Sequence, residues 1–282
     1  MAETGCPVRL GLRKLSTSSR SLGAALYGCG AYALFLVTFL YAIGFVGNLM
    51  VPKSIDGSLG TSALPLTAAL LINMALLAVF AVQHSLMARP AFKRLWTQIV
   101  PEPIERATYV LCASSALLLL FWQWRPLTTP VWSLANPLGV MAMWAAFATG
   151  WVLVLVSTFL INHFELFGLR QVFAHLAGRE LPAPAFRTPL LYRVVRHPIY
   201  LGFVLAFWAT PTMTLGHLLF AAGTTGYILI AIQLEERDLI ALFGEQYHHY
   251  KLQVGMLLPL PRRQPVSPVP VRGSTFAEQK AS

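Results

Sequence analysis

The chain has 282 residues, 56% of them hydrophobic and only 11% charged, with a formal net charge of +10 and a mean hydropathy of +0.61. A soluble domain carries roughly a quarter charged residues, so this composition excludes an ordinary soluble protein and points to an all-α, polytopic membrane bundle. The basic balance accompanies no nucleic-acid module and no interleaved basic and aromatic surface motif, so nucleic acid is not an expected partner.

Residues 1–26 open on a polar, Ser-rich, basic stretch and are expected to be flexible. Six apolar runs follow, at about 27–50, 64–83, 107–124, 138–161, 198–214 and 216–233. About 20 helical residues cross ~30 Å of hydrocarbon. The first four runs therefore form one membrane region over 27–161, and the shorter last two suit a tilted hairpin. The first run is too long for a signal-peptide core and lacks a small-residue cleavage site behind it, so it reads as a retained anchor. When the runs alternate in direction, 19 of the 21 Lys and Arg residues fall on one side, against Lys53 and Arg125 on the other. The positive-inside rule then puts both termini in the cytoplasm.

Trp122, Trp124, Trp132 and Trp151 sit near predicted span ends and read as interfacial belt residues. Cys6, Cys29 and Cys112 are odd in number and have no metal-knuckle spacing, so they read as small packing residues. His248-His249 point in different directions on a helix, and no metal is expected. The tail, 261–282, is rich in Pro, Ser and Val and reads as disordered.

The chemistry concentrates in 162–260, a cytoplasmic loop followed by the hairpin and a polar C-terminal region. At one foot of the hairpin stands Arg196-His197-Pro198-Ile199-Tyr200-Leu201-Gly202; at the other, Leu234-Glu235-Glu236-Arg237-Asp238, then Gly244, Tyr247 and Tyr250. Charges at a membrane boundary need partners or a ligand. Proline is tolerated in the first helical turn and disfavours helix before it, so Arg196 and His197 should precede a helix start that favours an anion. Leu239, Phe243 and Tyr247, four apart, should share one helix face. An anion hole, two carboxylates and an aromatic stripe suit a zwitterionic, adenosine-bearing ligand with a positive centre. The plainer alternative is a set of interfacial ion pairs, Glu235 with Arg237 or Asp238 with Arg193.

The order Arg196-His197-Pro198-x-Tyr200-x-Gly202, Glu235-Glu236-x-x-Leu239 and Gly244-x-x-Tyr247-x-x-Tyr250 resembles the isoprenylcysteine carboxyl methyltransferase superfamily of membrane enzymes. The resemblance implies that S-adenosylmethionine is held by Arg196, His197, Tyr200, Gly202, Glu235, Glu236, Tyr247 and Tyr250. Further motifs lie upstream: Tyr41-Ala42-Ile43-Gly44-Phe45-Val46-Gly47-Asn48, Val51-Pro52-Lys53-Ser54-Ile55-Asp56, Gln83-His84-Ser85-Leu86-Met87-Ala88-Arg89, Glu105-Arg106-x-Thr108-Tyr109 and Asn162-His163-Phe164-Glu165-Leu166-Phe167-Gly168. These look like the bacterial methanethiol S-methyltransferases. That implies a small volatile thiol as acceptor, dimethyl sulfide as product, a bacterial inner membrane with its lipids as the setting, and no obligate protein partner.

The nucleophile in such a transfer is a thiolate. With an alkyl thiol pKa of roughly 10, ionisation at pH 7 costs about 4 kcal/mol. A base or nearby positive charge offsets this. His84 and His163 end two segments on the cofactor side and are the candidate bases, with Glu165 and the Glu105-Arg106 pair as orienters. Lys53 and Asp56 fall on the opposite side. Rival readings keep the donor and change the acceptor to a prenylcysteine carboxylate or a lipid amine. Others take the chain as a sterol-reductase-like protein or as a non-enzymatic, denitrification-associated membrane protein.

Overall fold

The computed structural model describes residues 7–57, 64–183 and 185–259, with side chains from Ser21 onward. The expected tail from Pro261 lies outside the described residues. Ten α-helices occur among them: α1 (Pro7–Gly47), α2 (Leu66–Ala88), α3 (Pro90–Trp96), α4 (Glu102–Gln123), α5 (Pro137–Ile161), α6 (His163–Leu166), α7 (Leu169–Leu176), α8 (Pro198–Trp208), α9 (Leu215–Phe243) and α10 (Glu245–Gln253). Two short strands, β1 (Pro130–Ser133) and β2 (Thr212–Thr214), pair antiparallel. The chain is an all-α, polytopic membrane bundle.

Five helices are long and apolar enough to cross a bilayer: Ser21–Gly47 of α1, then α2, α4, α5 and α9. The apolar character of α2 runs around its whole circumference. It buries only Ala69, Asn73 and Met87, while Leu71, Met74, Val79, Val82 and Leu86 stay exposed. Such a surface is stable only against lipid. Residues 7–20, expected to be flexible, continue α1 as helix.

The fifth apolar run differs from the expected hairpin arm. Its helix, α8, has 11 residues, about 16 Å at 1.5 Å per residue, half of what a crossing needs. The rest of the run is extended and satisfies its backbone against other segments. Leu134 N–H donates to the Pro211 carbonyl (3.0 Å), Leu215 N–H to Thr129 (2.8 Å) and Gly216 N–H to Leu127 (2.9 Å). Hydropathy does not distinguish an apolar helix from an apolar strand, so this division was invisible in the sequence.

The core sits between α1, α4, α5, α8 and α9, where Phe45, Phe121, Trp124, Phe147, Trp151, Phe207 and Phe220 interlock. Helices α5 and α8 pack closest. A Cβ on Gly150 would lie 2.6 Å from the Ala206 nitrogen, and one on Gly202 would lie 2.7 Å from the Gly150 carbonyl oxygen. Both obstacles are backbone, so neither position accepts a side chain without parting the helices. This contact fixes where α8, and hence His197 just ahead of it, stands relative to α5. Gly150→Val should accordingly lower the stability of the detergent-solubilised protein by on the order of 3 kcal/mol. Thermal unfolding would read that loss, and an unchanged midpoint would refute the close crossing.

Candidate active site

The two feet of the C-terminal arm meet. Pro198 opens α8, as the sequence implied, and His197 is its N-cap. On α9, Glu236 is buried and faces this start. Its Oε1 accepts from Arg196 Nε (2.7 Å) and approaches His197 Nε2 (3.1 Å). Its Oε2 pairs with Lys251 Nζ at 2.7 Å. Arg196 also donates to the carbonyls of Lys251 (3.1 Å) and Val254. The backbone closes the same junction: Arg196 N–H donates to Gly255 (2.8 Å) and His197 N–H to Met256 (3.2 Å). One buried carboxylate thus joins α9, the approach to α8 and α10.

Glu235 differs from its neighbour. Its side chain is 43% exposed, against 6% for Glu236. One oxygen, Oε2, accepts from the Tyr200 hydroxyl at 2.9 Å. The Glu236 carboxylate is taken up by protein groups, whereas Glu235 Oε1 remains open to a ligand.

Gly244 changes the expected aromatic stripe. Its φ of 55° ends α9 in a conformation that side-chain-bearing residues rarely adopt, and α10 starts in a new direction at Glu245. Tyr247 therefore does not continue the α9 face of Leu239 and Phe243. Instead Phe186 gathers Phe243, Tyr247 and Tyr250, with ring centroids 5.5, 6.0 and 5.4 Å away. Tyr250 donates to the Tyr192 carbonyl, and burial pushes its own hydroxyl up to about 12. Tyr247 is buried, with its hydroxyl lacking a partner. A buried orphan hydroxyl is costly, and a ligand hydroxyl or amine would relieve it. The donor set therefore fits S-adenosylmethionine. Arg196 and Lys251 outweigh Glu236 by one positive charge and favour a carboxylate, while Glu235 and Tyr247 offer free acceptor and donor capacity.

Gly202 stands apart from these groups, pressed on Gly150 as described above. The alternative ion pairs do not form among the described residues. Asp238 pairs with Arg89 at 2.8 Å, and Arg193 Nε donates to the Thr188 carbonyl at 3.1 Å.

The two histidines have different surroundings. His163 is buried with both nitrogens engaged, Nε2 with the Tyr32 hydroxyl and Nδ1 with Thr158 Oγ1, each at 2.8 Å. Thr158 gives its own proton to the Leu155 carbonyl, so it accepts from Nδ1–H and leaves Nε2 to accept from Tyr32. The ring stacks on Phe159 with centroids 4.1 Å apart. Burial holds His163 below the usual histidine range. Among the described residues, His84 meets one polar group, the Tyr109 hydroxyl, 2.9 Å from Nε2 and 3.2 Å from Nδ1. Phe80 and Tyr227 flank its ring. Glu235 lies within electrostatic reach of Tyr109, Tyr200 and Tyr227, so the His84 group borders the Glu235 side of the carboxylate cluster.

The suggested orienters serve other contacts. Glu165 is held by Asn162 Nδ2 (2.6 Å) and by Arg170. Glu105 lies 3.9 Å from Lys93, and Arg106 Nε donates to the Leu166 carbonyl at 2.7 Å. The Arg106 guanidinium also sits 5.0 Å over the Tyr109 ring, which leaves a cation next to His84. Lys251, Tyr109 and Tyr227 escaped the sequence reading. Tyr109 stands in a quoted motif, but Lys251 and Tyr227 become recognisable only through contacts with distant segments.

The chain is 62% identical over 237 residues to a protein of Bradyrhizobium diazoefficiens named methanethiol S-methyltransferase 1, covering 84% of this chain and 82% of that one. It is 58% identical over 238 residues to a Mycobacterium tuberculosis protein named methanethiol S-methyltransferase, covering 84% and 96%. Nurim of Mus musculus is 32% identical over 180 residues, or 61% of this chain and 68% of that protein. No protein-family model and no solved structure matches the chain.

Two outcomes test this geometry. Glu236→Ala strands a buried guanidinium and should destabilise the protein by about 3–5 kcal/mol, whereas Glu235→Gln should leave the melting temperature unchanged and weaken binding of S-adenosylmethionine. Calorimetry of both variants reads the split, and equal stability losses would refute it. His163 resists a proton that the unfolded chain accepts near pH 6.5, so it withdraws stability as pH falls below that value. His163→Gln should flatten the pH dependence of the melting temperature between pH 6.5 and 5, and an unchanged slope would count against the tautomer assigned above.

Proposed function

The chain belongs to the methanethiol S-methyltransferase family, and we propose that it transfers the methyl group of S-adenosylmethionine to methanethiol, yielding dimethyl sulfide and S-adenosylhomocysteine. The observation that carries this reading is the 62% and 58% identity, over 84% of the chain, to relatives of that name. The bound donor supplies an electrophilic methyl group on a positive sulfonium. Arg196 and Lys251 would hold its carboxylate, Glu235 would take its amino group or ribose hydroxyls, and Tyr247 would spend its unpaired hydroxyl on it.

The protein's remaining task is to make a thiolate and hold it in line. His84 accepts the thiol proton, since its tautomer is fixed by no carboxylate or carbonyl and only the Tyr109 phenol engages it. The guanidinium of Arg106, stacked on that phenol ring, favours the sulfur anion. With the donor bound, the thiolate lone pair would form the new S–CH3 bond as the bond from methyl to sulfonium breaks, leaving S-adenosylhomocysteine. His163, with both nitrogens bonded, instead braces α1 against the end of α5. Among the described residues, most of the basic ones lie at this end of the bundle, which by the positive-inside rule would face the cytoplasm of a bacterial inner membrane.

Membranes containing the protein, fed methanethiol and S-adenosylmethionine, should release dimethyl sulfide into the headspace. Failure to do so would overturn the reading. His84→Gln should lower kcat by about 10²–10⁴-fold, the range for losing a general base, with donor affinity retained. His163→Gln should keep its turnover at pH 7.

A further inference from the structure

The end of the bundle opposite Glu236 holds two cations that this chemistry does not use. They are Lys53 and Arg125, the two basic residues of 21 that the alternation of spans puts on that side. Lys53 is 5% exposed, and its Nζ donates to a neutral group, the Trp122 carbonyl. Arg125 makes one side-chain bond, to Gln123 Oε1 at 3.2 Å, and its Nε is buried without a partner. Among the described residues, no carboxylate pairs with either cation. Asp56, in the same loop as Lys53, is already bonded to Asn48 (2.8 Å) and to Thr214 (2.5 Å).

Both cations are held in place by their backbones. The Tyr41 hydroxyl donates to the Lys53 carbonyl at 2.9 Å. Asn73, fully buried, brackets Arg125, accepting from its N–H (2.8 Å) and donating to its carbonyl (2.7 Å). Burial and the nearby Arg125 charge hold Lys53 below the usual lysine range. A cavity of about 280 Å³ opens against Lys53, walled by Tyr41, Leu118, Phe121 and Trp122. Trp122 is 70% exposed at the end of a spanning helix, the level at which indole rings meet lipid headgroups.

We propose that Lys53 and Arg125 bind the phosphate of an anionic phospholipid headgroup, at the end of the bundle opposite the candidate active site. An anion there neutralises buried Lys53 and half-buried Arg125, whose charges repel, and gives the orphan Arg125 Nε an acceptor, a pairing for which guanidinium and phosphate are suited. The apolar cavity wall suits the glycerol and upper acyl carbons better than it suits free phosphate.

Native mass spectrometry of the full chain in detergent, titrated with phosphatidylglycerol, phosphatidylcholine or inorganic phosphate, tests this. One phosphatidylglycerol should remain bound where phosphatidylcholine does not, and Arg125→Gln and Lys53→Met should each weaken it at least tenfold. Arg125→Gln removes a charge that repels Lys53, so its lipid-free melting temperature should not fall below that of the wild type even if Lys53→Met folds poorly. Unchanged phosphatidylglycerol binding in Arg125→Gln overturns the proposal. So does inorganic phosphate that binds alone and displaces the lipid.

Discussion

A single buried carboxylate, that of Glu236, governs the geometry of the C-terminal half. Its two oxygens meet Arg196, His197 and Lys251, which come from two stretches of chain far from it in sequence. Charges taken out of water need such partners, because desolvation costs several kcal/mol per ion. The sequence runs Glu235-Glu236, and the two acids divide the labour. The inner one balances the cations, and the outer one, bonded on one side to Tyr200, keeps capacity for a ligand. Without the inner pairing, the cations would compete for Glu235 and the open acceptor would be lost.

Much of this architecture could be read in advance, because membranes impose simple rules on sequence. The apolar runs mark the helices, and His197-Pro198 marks the start of α8. Local regularity was less trustworthy. Leu239, Phe243 and Tyr247 keep helical spacing across Gly244, yet the positive φ of that glycine sends Tyr247 elsewhere. Glu105 and Arg106 are neighbours in sequence, but consecutive helical residues point in different directions. One reaches Lys93 and the other the Leu166 carbonyl.

Contacts between distant segments were the illegible part. Asp238 finds Arg89 rather than Arg193, and Lys251 finds Glu236, pairings set by how helices pack. The two histidines make the same point. As sequence they are equivalent, each at the end of an apolar run. Thr158 and Tyr32 saturate one of them, while Phe80, Tyr109 and Tyr227 leave the other chemically available.

The stunted helix α8 has a mechanical consequence. Irregular backbone at membrane depth persists only where protein satisfies it, and here β1, β2, the 48–57 loop and the first turn of α9 lace together through Thr214–Asp56 and Leu134–Pro211. That lacing rivets one end of the bundle. Breathing motions that admit and release small molecules are thereby left to the other end, where side-chain ion pairs and a single backbone bridge hold the helices, like tongs pinned at the joint and free at the jaws.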